Sequence, residues 1–305
     1  MTGTWGHEPV LLEEALAFWV SDPRGTYVDG TVGAGGHAQA LLERFPEARV
    51  VGLDRDPAAL ETARSRLRPF GARVRLEETD FALMEDVLRR LGGAPPAGIL
   101  LDLGVSSLQL DAPSRGFSYL VDGPLRMTLD RDASSGALEF LAAIEEGTLT
   151  GIFRELGELP RAGRIARTVL EARDAGRLRT SSDLVAALRR AGLHHPRNLS
   201  QAFQAVRFAV NDELGSLDHG LVAAARTLPP GGRLAVIAFE SLMDRRVKHA
   251  FRPPRDRRPL PGEPDPLPRW NVLTPRTIRP RPEESARNPR ARSARLRAAE
   301  RTPHV

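Results

Sequence analysis

The sequence predicts an α/β protein: a parallel sheet covered by helices, with a helical domain inserted between its strands. Three observations carry this expectation. Strand-like and helix-like segments alternate through the first third of the chain, a glycine-rich loop joins the first strand to the helix behind it, and strand periodicity is lost between Leu103 and Arg233 before it returns.

Taken in order, Thr26 to Asp29 reads as the first strand, followed by the glycine-rich loop and a helix over His37 to Phe45. Arg49 to Asp54 is the second strand. Asp56 then supplies an N-cap and Pro57 a first helical position, with Leu60, Ala63 and Leu67 apolar at helical spacing behind them. Val74 and Leu76 alternate as a short third strand, Phe81 to Leu91 is helical, and Gly98 to Leu103 is an apolar, buried fourth strand.

From about Asp111 to Asn211 only turns and amphipathic helices follow: Ala137 to Glu146, Leu149 to Leu156, Ala162 to Ala175, Asp183 to Ala191 and Ala202 to Asn211. The strand pattern resumes at Arg233 to Phe239, after the turn Pro229-Pro230-Gly231-Gly232. The expected organisation is therefore residues 1–110 as the first part of the core, 111–211 as the insert, and 212–305 as the second part with a basic tail. Between Arg252 and Arg301 lie 14 Arg against six acidic residues. Because Trp270, Val272 and Leu273 precede a plausible edge strand and Ala294, Leu296 and Ala298 alternate, the tail is expected to pack irregularly on the sheet edge. Local mobility is expected around Pro253 to Pro268.

Composition narrows the function classes. With 41% hydrophobic and 27% charged residues in 305, the chain is of the soluble globular kind. It has no Cys, which excludes disulfides, thiolate metal sites and cysteine nucleophiles. The opening residues Trp5, His7, Glu8 and Pro9, and the lack of any apolar run of ~18 residues, signal neither secretion nor a membrane span. A cytoplasmic location is expected, with no membrane partner. A net charge of +5 favours polyanionic partners. Only Lys248 among the 44 basic residues is a lysine, so a compositional bias towards Arg explains the charge equally well. His194 and His195 project from different faces and lack further ligands at metal spacing, so no metal is expected.

The most informative segment is Asp29-Gly30-Thr31-Val32-Gly33-Ala34-Gly35-Gly36-His37. Glycines in a turn between strand and helix let a ligand approach the backbone closely. The next strand ends at Asp54, where a carboxylate ~20 residues downstream can accept hydrogen bonds from ribose hydroxyls. Together they predict an adenosine-bearing cofactor. Asp29, directly before the loop, suits an ammonium group better than a pyrophosphate, which favours S-adenosylmethionine over NAD; the alternative is that Asp29 only caps the turn. Asp102, ending a buried strand before Gly104 to Ser107, occupies the place where such sheets bind ligands.

Longer runs resemble a known family. The loop above, Gly52 to Pro57, Asp102-Leu103-Gly104-Val105-Ser106-Ser107-Leu108-Gln109-Leu110-Asp111 and Arg115-Gly116-Phe117-Ser118-Tyr119 look like the bacterial ribosomal small-subunit RNA methyltransferase H family, also called MraW-like. Further matches are His7 to Leu11, Asp122 to Leu125, Phe203 to Arg207, Val210 to Leu214 and Asn288 to Ser293. The resemblance implies a Rossmann-like S-adenosylmethionine-dependent methyltransferase core with an inserted helical domain for RNA recognition. It implies methyl transfer to N4 of a cytosine in the decoding region of 16S rRNA, in the small ribosomal subunit. It places cofactor contacts at Gly35, Gly36, His37, Asp54, Phe81, Asp102 and Gln109, beside Asp29 and Gly33 from the loop. Three positions depart from the family's pattern: Arg126-Met127-Thr128 follows Leu125 where an acidic residue, Met and Arg are usual, Gln201 replaces an Arg, and Glu240 replaces a His.

The exocyclic amine of cytosine is a poor nucleophile because its lone pair is delocalised, so catalysis needs an acceptor for its hydrogens. Asp102 is assigned to this site, with its share between cofactor binding and base orientation left open. Phe117 and Tyr119 are candidate stackers for an extruded base, or ordinary packing residues. Arg197, Arg207, Arg290 and Arg292 are expected to meet RNA phosphates. The competing readings are an amino methyltransferase acting on another RNA or DNA, and a cofactor-binding ribosome-assembly factor without transfer activity.

Overall fold

The computed structural model describes residues 9–106, 109–110, 112–130, 136–252 and 270–303. Expectations at Trp5, His7, Glu8, Ser107, Leu108 and Asp111, and for residues 253–268, lie outside these. The chain divides into two compact units: Met1–Gly104 with Gly215–Val305, and Val105–Leu214. The second differs by a few residues at each end from the expected insert.

The first unit contains α1 (Leu12–Trp19), β1 (Thr26–Asp29), α2 (Gly36–Arg44), β2 (Arg49–Asp54), α3 (Pro57–Leu67), β3 (Val74–Glu78), α4 (Met84–Leu91) and β4 (Gly98–Leu103). Asp56 caps α3 by accepting from the Ala58 N–H at 3.0 Å, and Pro57 opens it without a lost donor. Instead of one helix from Phe81, a 3₁₀ turn at Phe81–Leu83 precedes α4, because the Asp80 carboxylate takes the Ala82 N–H at 2.7 Å and tightens the entry.

The second unit is helical: α5 (Ala137–Ala143), α6 (Glu146–Glu155), α7 (Ala162–Asp174), α8 (Ser181–Arg190) and α9 (Pro196–Asn211). Its core is built from Leu141, Phe153, Ile165, Leu188 and Val206, all fully buried. A Leu buried this way stabilises by roughly 1.5–3 kcal/mol relative to an exposed one. α9 begins at Pro196, earlier than the apolar periodicity indicates, because His195 Nδ1 accepts the Arg197 N–H at 3.2 Å.

The chain then re-enters the first unit through α10 (Glu213–Thr227), β5 (Arg233–Ala238), α11 (Ser241–Phe251), β6 (Trp270–Val272), α12 (Pro282–Arg287) and β7 (Arg295–Arg301). The seven strands are ordered β3-β2-β1-β4-β5-β7-β6, parallel except that β7 runs antiparallel to both neighbours. The tail thus lies within the sheet, in place of the irregular edge packing expected of it. Alternation explains it: Leu296 and Ala298 are fully buried, while Arg297 on the other face pairs with Asp244 of α11 at 2.7 and 3.0 Å. Strand order reverses between β1 and β4, the switch point at which open α/β sheets bind ligands beyond the strands' carboxyl ends.

Candidate active site

Three carboxylates end three adjacent strands: Asp54 on β2, Asp29 on β1 and Asp102 on β4. None pairs with an Arg or Lys among the described residues. Burial pushes Asp29 up to about 8, with repulsion from Asp102 adding to it and the Thr31 N–H opposing it. Burial likewise raises Asp102 to about 7. Asp54 is raised to about 6 by burial, against hydrogen bonds from the backbone of Asp56, Gly33 and Arg55. Such a cluster without cations is unfavourable in the bare protein and favours a ligand rich in positive charge and hydrogen-bond donors.

The loop between β1 and α2 is held open by these side chains. The Gly33 N–H donates to Asp54 Oδ2 at 2.8 Å, the Asp56 N–H donates to Asp54 Oδ1 at 2.9 Å, and the Asp102 N–H donates to Thr31 Oγ1 at 2.6 Å. Gly36 allows close packing at the head of α2, since a Cβ there would come within 2.6 Å of the Pro9 ring.

His37 is 7% exposed, and burial lowers it to about 4, so the ring is neutral at pH 7. Its Nε2 lies 3.0 Å from the Val10 carbonyl, which can only accept, so the proton sits on Nε2 and Nδ1 carries a lone pair. That lone pair faces Asp102 Oδ2 across 3.9 Å. The other oxygen of Asp102, Oδ1, is buried with no hydrogen-bond partner among the described residues. Two acceptors facing one another beside an orphaned carboxylate oxygen favour a ligand that brings its own donors.

Neighbouring contacts shape its walls. Asp80, after β3, binds Arg55 at 3.1 Å and the Ser216 hydroxyl of α10 at 2.9 Å. Phe81 follows it and sets its ring edge against α10, where a Cβ on Gly220 would strike it. Beyond β4, Gly104 has φ +138° and faces the Phe239 ring, which precedes Glu240 at the start of α11.

The remaining candidates belong to the helical unit. Gln109 is buried, and its carboxamide oxygen accepts the Ser106 N–H at 2.9 Å. Phe117 is 7% exposed in the helical core, with the Arg115 guanidinium 5.8 Å from its ring centre. Tyr119 is half-buried and meets Phe203 edge-on at 6.1 Å. Arg207 requires a correction. It is buried, binding Glu213 through two hydrogen bonds of 2.7 and 3.1 Å, and is committed to the fold instead of to phosphate. Arg197, Arg290 and Arg292 are exposed.

Residues 4–302 match the MraW methylase family. The chain belongs to this family. Among its relatives are proteins named Ribosomal RNA small subunit methyltransferase H from Nitratidesulfovibrio vulgaris (strain DP4), 43% identical over 96% of this chain and 95% of that protein, and from Symbiobacterium thermophilum, 44% identical over 96% and 95%. A third, from Methylorubrum populi, is 43% identical over 97% of this chain and 87% of its own length. The methylase uses S-adenosylmethionine, and its acceptor-rich sheet end suits that cofactor's ammonium, sulfonium and ribose hydroxyls. No group of three or more His, Cys, Asp or Glu among the described residues could hold a metal ion, and no described helix is long and apolar enough to cross a membrane.

Two features of this site are not legible in the sequence: the Asp80–Arg55–Ser216 contacts and the locked tautomer of His37. The first joins residues far apart along the chain, and the second depends on a backbone carbonyl that no side-chain pattern records.

Proposed function

We propose that this methylase transfers a methyl group from S-adenosylmethionine to N4 of a cytosine in the decoding region of 16S rRNA, within the small ribosomal subunit. The names of its relatives support the RNA, and the orphaned Oδ1 of Asp102 carries the chemistry. Asp29 holds the cofactor's ammonium group, with Asp102 and the His37 lone pair alongside. Asp54 receives the ribose hydroxyls through the lone pairs left over from Gly33 and Asp56. Gly33, Gly35 and Gly36 give the backbone its close approach, and Phe81 and Gln109 complete the cofactor's surroundings.

Bound there, S-adenosylmethionine supplies a methyl group activated by positive sulfur. Asp102 accepts an N–H of the target amine, turning its lone pair out of the ring's conjugation and stabilising charge as it develops on nitrogen. The nitrogen gains the methyl and loses a proton. A carboxylate raised to about 7 is matched to receive that proton near neutral pH. Tyr119, partly open and backed by Phe203, stacks on the extruded base, with Phe117 the second candidate for that contact. Arg197, Arg290 and Arg292 meet phosphates. The protein works in the cytoplasm, where its RNA is.

The deciding experiment supplies small subunits, naked 16S rRNA and DNA with labelled cofactor and maps the product by mass spectrometry. N4-methylcytidine in the decoding region is expected. Methyl on another nucleotide or on DNA would replace the substrate, and cofactor binding without transfer would indicate an assembly factor.

A further inference from the structure

Among the described residues, three large hydrophobic side chains stand out in solvent, and two are adjacent: Leu120 at 78% and Val121 at 48% exposure. They form the tip of the loop between Phe117 and Pro124 in the helical unit. Leaving two apolar side chains in water on a slack loop would be unremarkable, but this loop is pinned. The Leu120 N–H donates to Ser118 Oγ at 3.1 Å, and the Ser181 hydroxyl donates to the Val121 carbonyl at 3.0 Å. Asp122 Oδ1 accepts the Ser182 N–H at 3.0 Å. The Gly123 carbonyl accepts the Ser181 N–H at 2.9 Å, and a Cβ on Gly123 would run into the Pro113 carbonyl. The backbone is held so that the tip points outward.

Its surroundings indicate what the tip meets. Leu125 and Pro124 pair with Arg179 and Thr180, which brings the segment 177–180 alongside the loop. Arg177 and Arg179 are exposed and have no carboxylate partner among the described residues. The nearby acids are already used, Asp122 by Ser182 and Asp183 by the backbone N–H groups of Arg179 and Thr180 at 2.8 and 3.0 Å. A rigid apolar tip flanked by such guanidinium groups matches a polyanion whose interior is flat and apolar. It matches an apolar protein surface poorly, because the two cations would be desolvated there without partners.

We propose that Leu120 and Val121 form a wedge that enters a base step of the bound RNA, while Arg177 and Arg179 grip the flanking phosphates. The inference rests on the RNA reading above and gives the helical unit a second role, that of opening the stack so that a nucleotide can leave it. Apolar side chains inserted at a base step unstack it, and base-modifying enzymes must supply the energy of extrusion when the base begins stacked.

The test uses the full-length enzyme, S-adenosylmethionine and two rRNA fragments, one with the target cytosine in its native helix and one with the target's neighbour replaced by an abasic site, so that the step is already open. Leu120→Ala is expected to slow single-turnover transfer about ten-fold or more on the native fragment and less than about two-fold on the opened one. Leu120→Met should restore the rate. A fluorescent cytosine analogue at the target should brighten with the wild type and not with Leu120→Ala. Arg177→Gln with Arg179→Gln should flatten the slope of log affinity against log salt by about 1.4–1.8.

Equal rates for Leu120→Ala and wild type, or equal loss on both fragments, would overturn the wedge while leaving the RNA reading intact. An unchanged salt slope would remove the phosphate grip. Wild-type enzyme that binds neither these fragments nor small subunits would overturn both readings. If sedimentation shows a wild-type dimer that Leu120→Ala dissociates, the tip is a self-association surface instead.

Discussion

The two units treat buried charge in opposite ways. At the sheet end of the α/β unit, Asp29, Asp54 and Asp102 are sunk together with no cation among the described residues, and one oxygen is left without a hydrogen-bond partner. In the helical unit, Arg207 and Glu213 are buried too but bind each other through two hydrogen bonds, and Asn211 beside them donates to the Met127 and Arg207 carbonyls at 2.7 and 2.8 Å. The difference separates two purposes of burying charge. A satisfied pair fixes helix packing; an unsatisfied cluster waits for a ligand.

The comparison makes Arg207→Ala the most damaging change to stability. It takes two charged hydrogen bonds from the buried Glu213 carboxylate and should cost about 3–5 kcal/mol in denaturant unfolding. The double change Arg207→Met with Glu213→Leu should recover most of that loss. If Arg207→Ala instead unfolds like the wild type but binds RNA weakly, the pair is functional and the contrast collapses.

Asp102→Asn should act the other way round. It keeps the shape, relieves repulsion on Asp29, and should leave stability equal or better while transfer falls by about 10²–10³. Single-turnover rates beside a melting curve separate the two effects, and a large loss of stability with normal transfer would make Asp102 structural.

A smaller effect is expected with pH. Asp29 and Asp102, at about 8 and about 7, are raised above the ordinary carboxylate range, so the folded protein keeps protons that the unfolded chain has released. Their contribution is fully present below the unfolded pKa and is lost as pH rises through 7 and 8. His37, lowered to about 4, acts oppositely, but its contribution is complete by about pH 7. Between pH 6.5 and 8.5 the ligand-free protein should therefore lose on the order of 2–3 kcal/mol. Saturating S-adenosylmethionine should flatten that dependence, because its positive charge favours the ionised carboxylates. A melting temperature that climbs over this window would contradict the grouping.

The smallest effect sharpens the contrast from outside. Arg44 pairs with Glu13 at 2.8 and 2.9 Å, but in open solvent, so Arg44→Ala should leave the melting temperature unchanged within error.

What is legible in the sequence follows the same division. β1, β2 and β4 carry their own evidence, since each is an apolar run closed by the carboxylate that later lines the site. α1 does not. Its N-cap is Leu11 in a left-handed conformation, and the Leu11 N–H is satisfied by Glu284 Oε1 at 2.8 Å, a partner from the far end of the chain. β7 is obscured because its arginines resemble a solvated tail until Asp244 is known to face Arg297. Arg207 misleads for a related reason. Its charge suggests RNA, and nothing local reveals that Glu213, beyond the end of α9, folds back onto it.

The place of β7 has a bearing on how the chain is made. β4 and β5 are neighbours in the sheet, yet the whole helical unit lies between them in sequence, and β5 gains its other neighbour only from residues 295–301. As the polypeptide leaves the ribosome, the helical segment has all its packing partners while the sheet is still missing three strands. The apolar edge of β4 must wait for β5, and the edge of β5 then waits for β7 near the full length, so the interval between synthesis of β4 and of β7 is when the nascent protein is most exposed to aggregation and to chaperones.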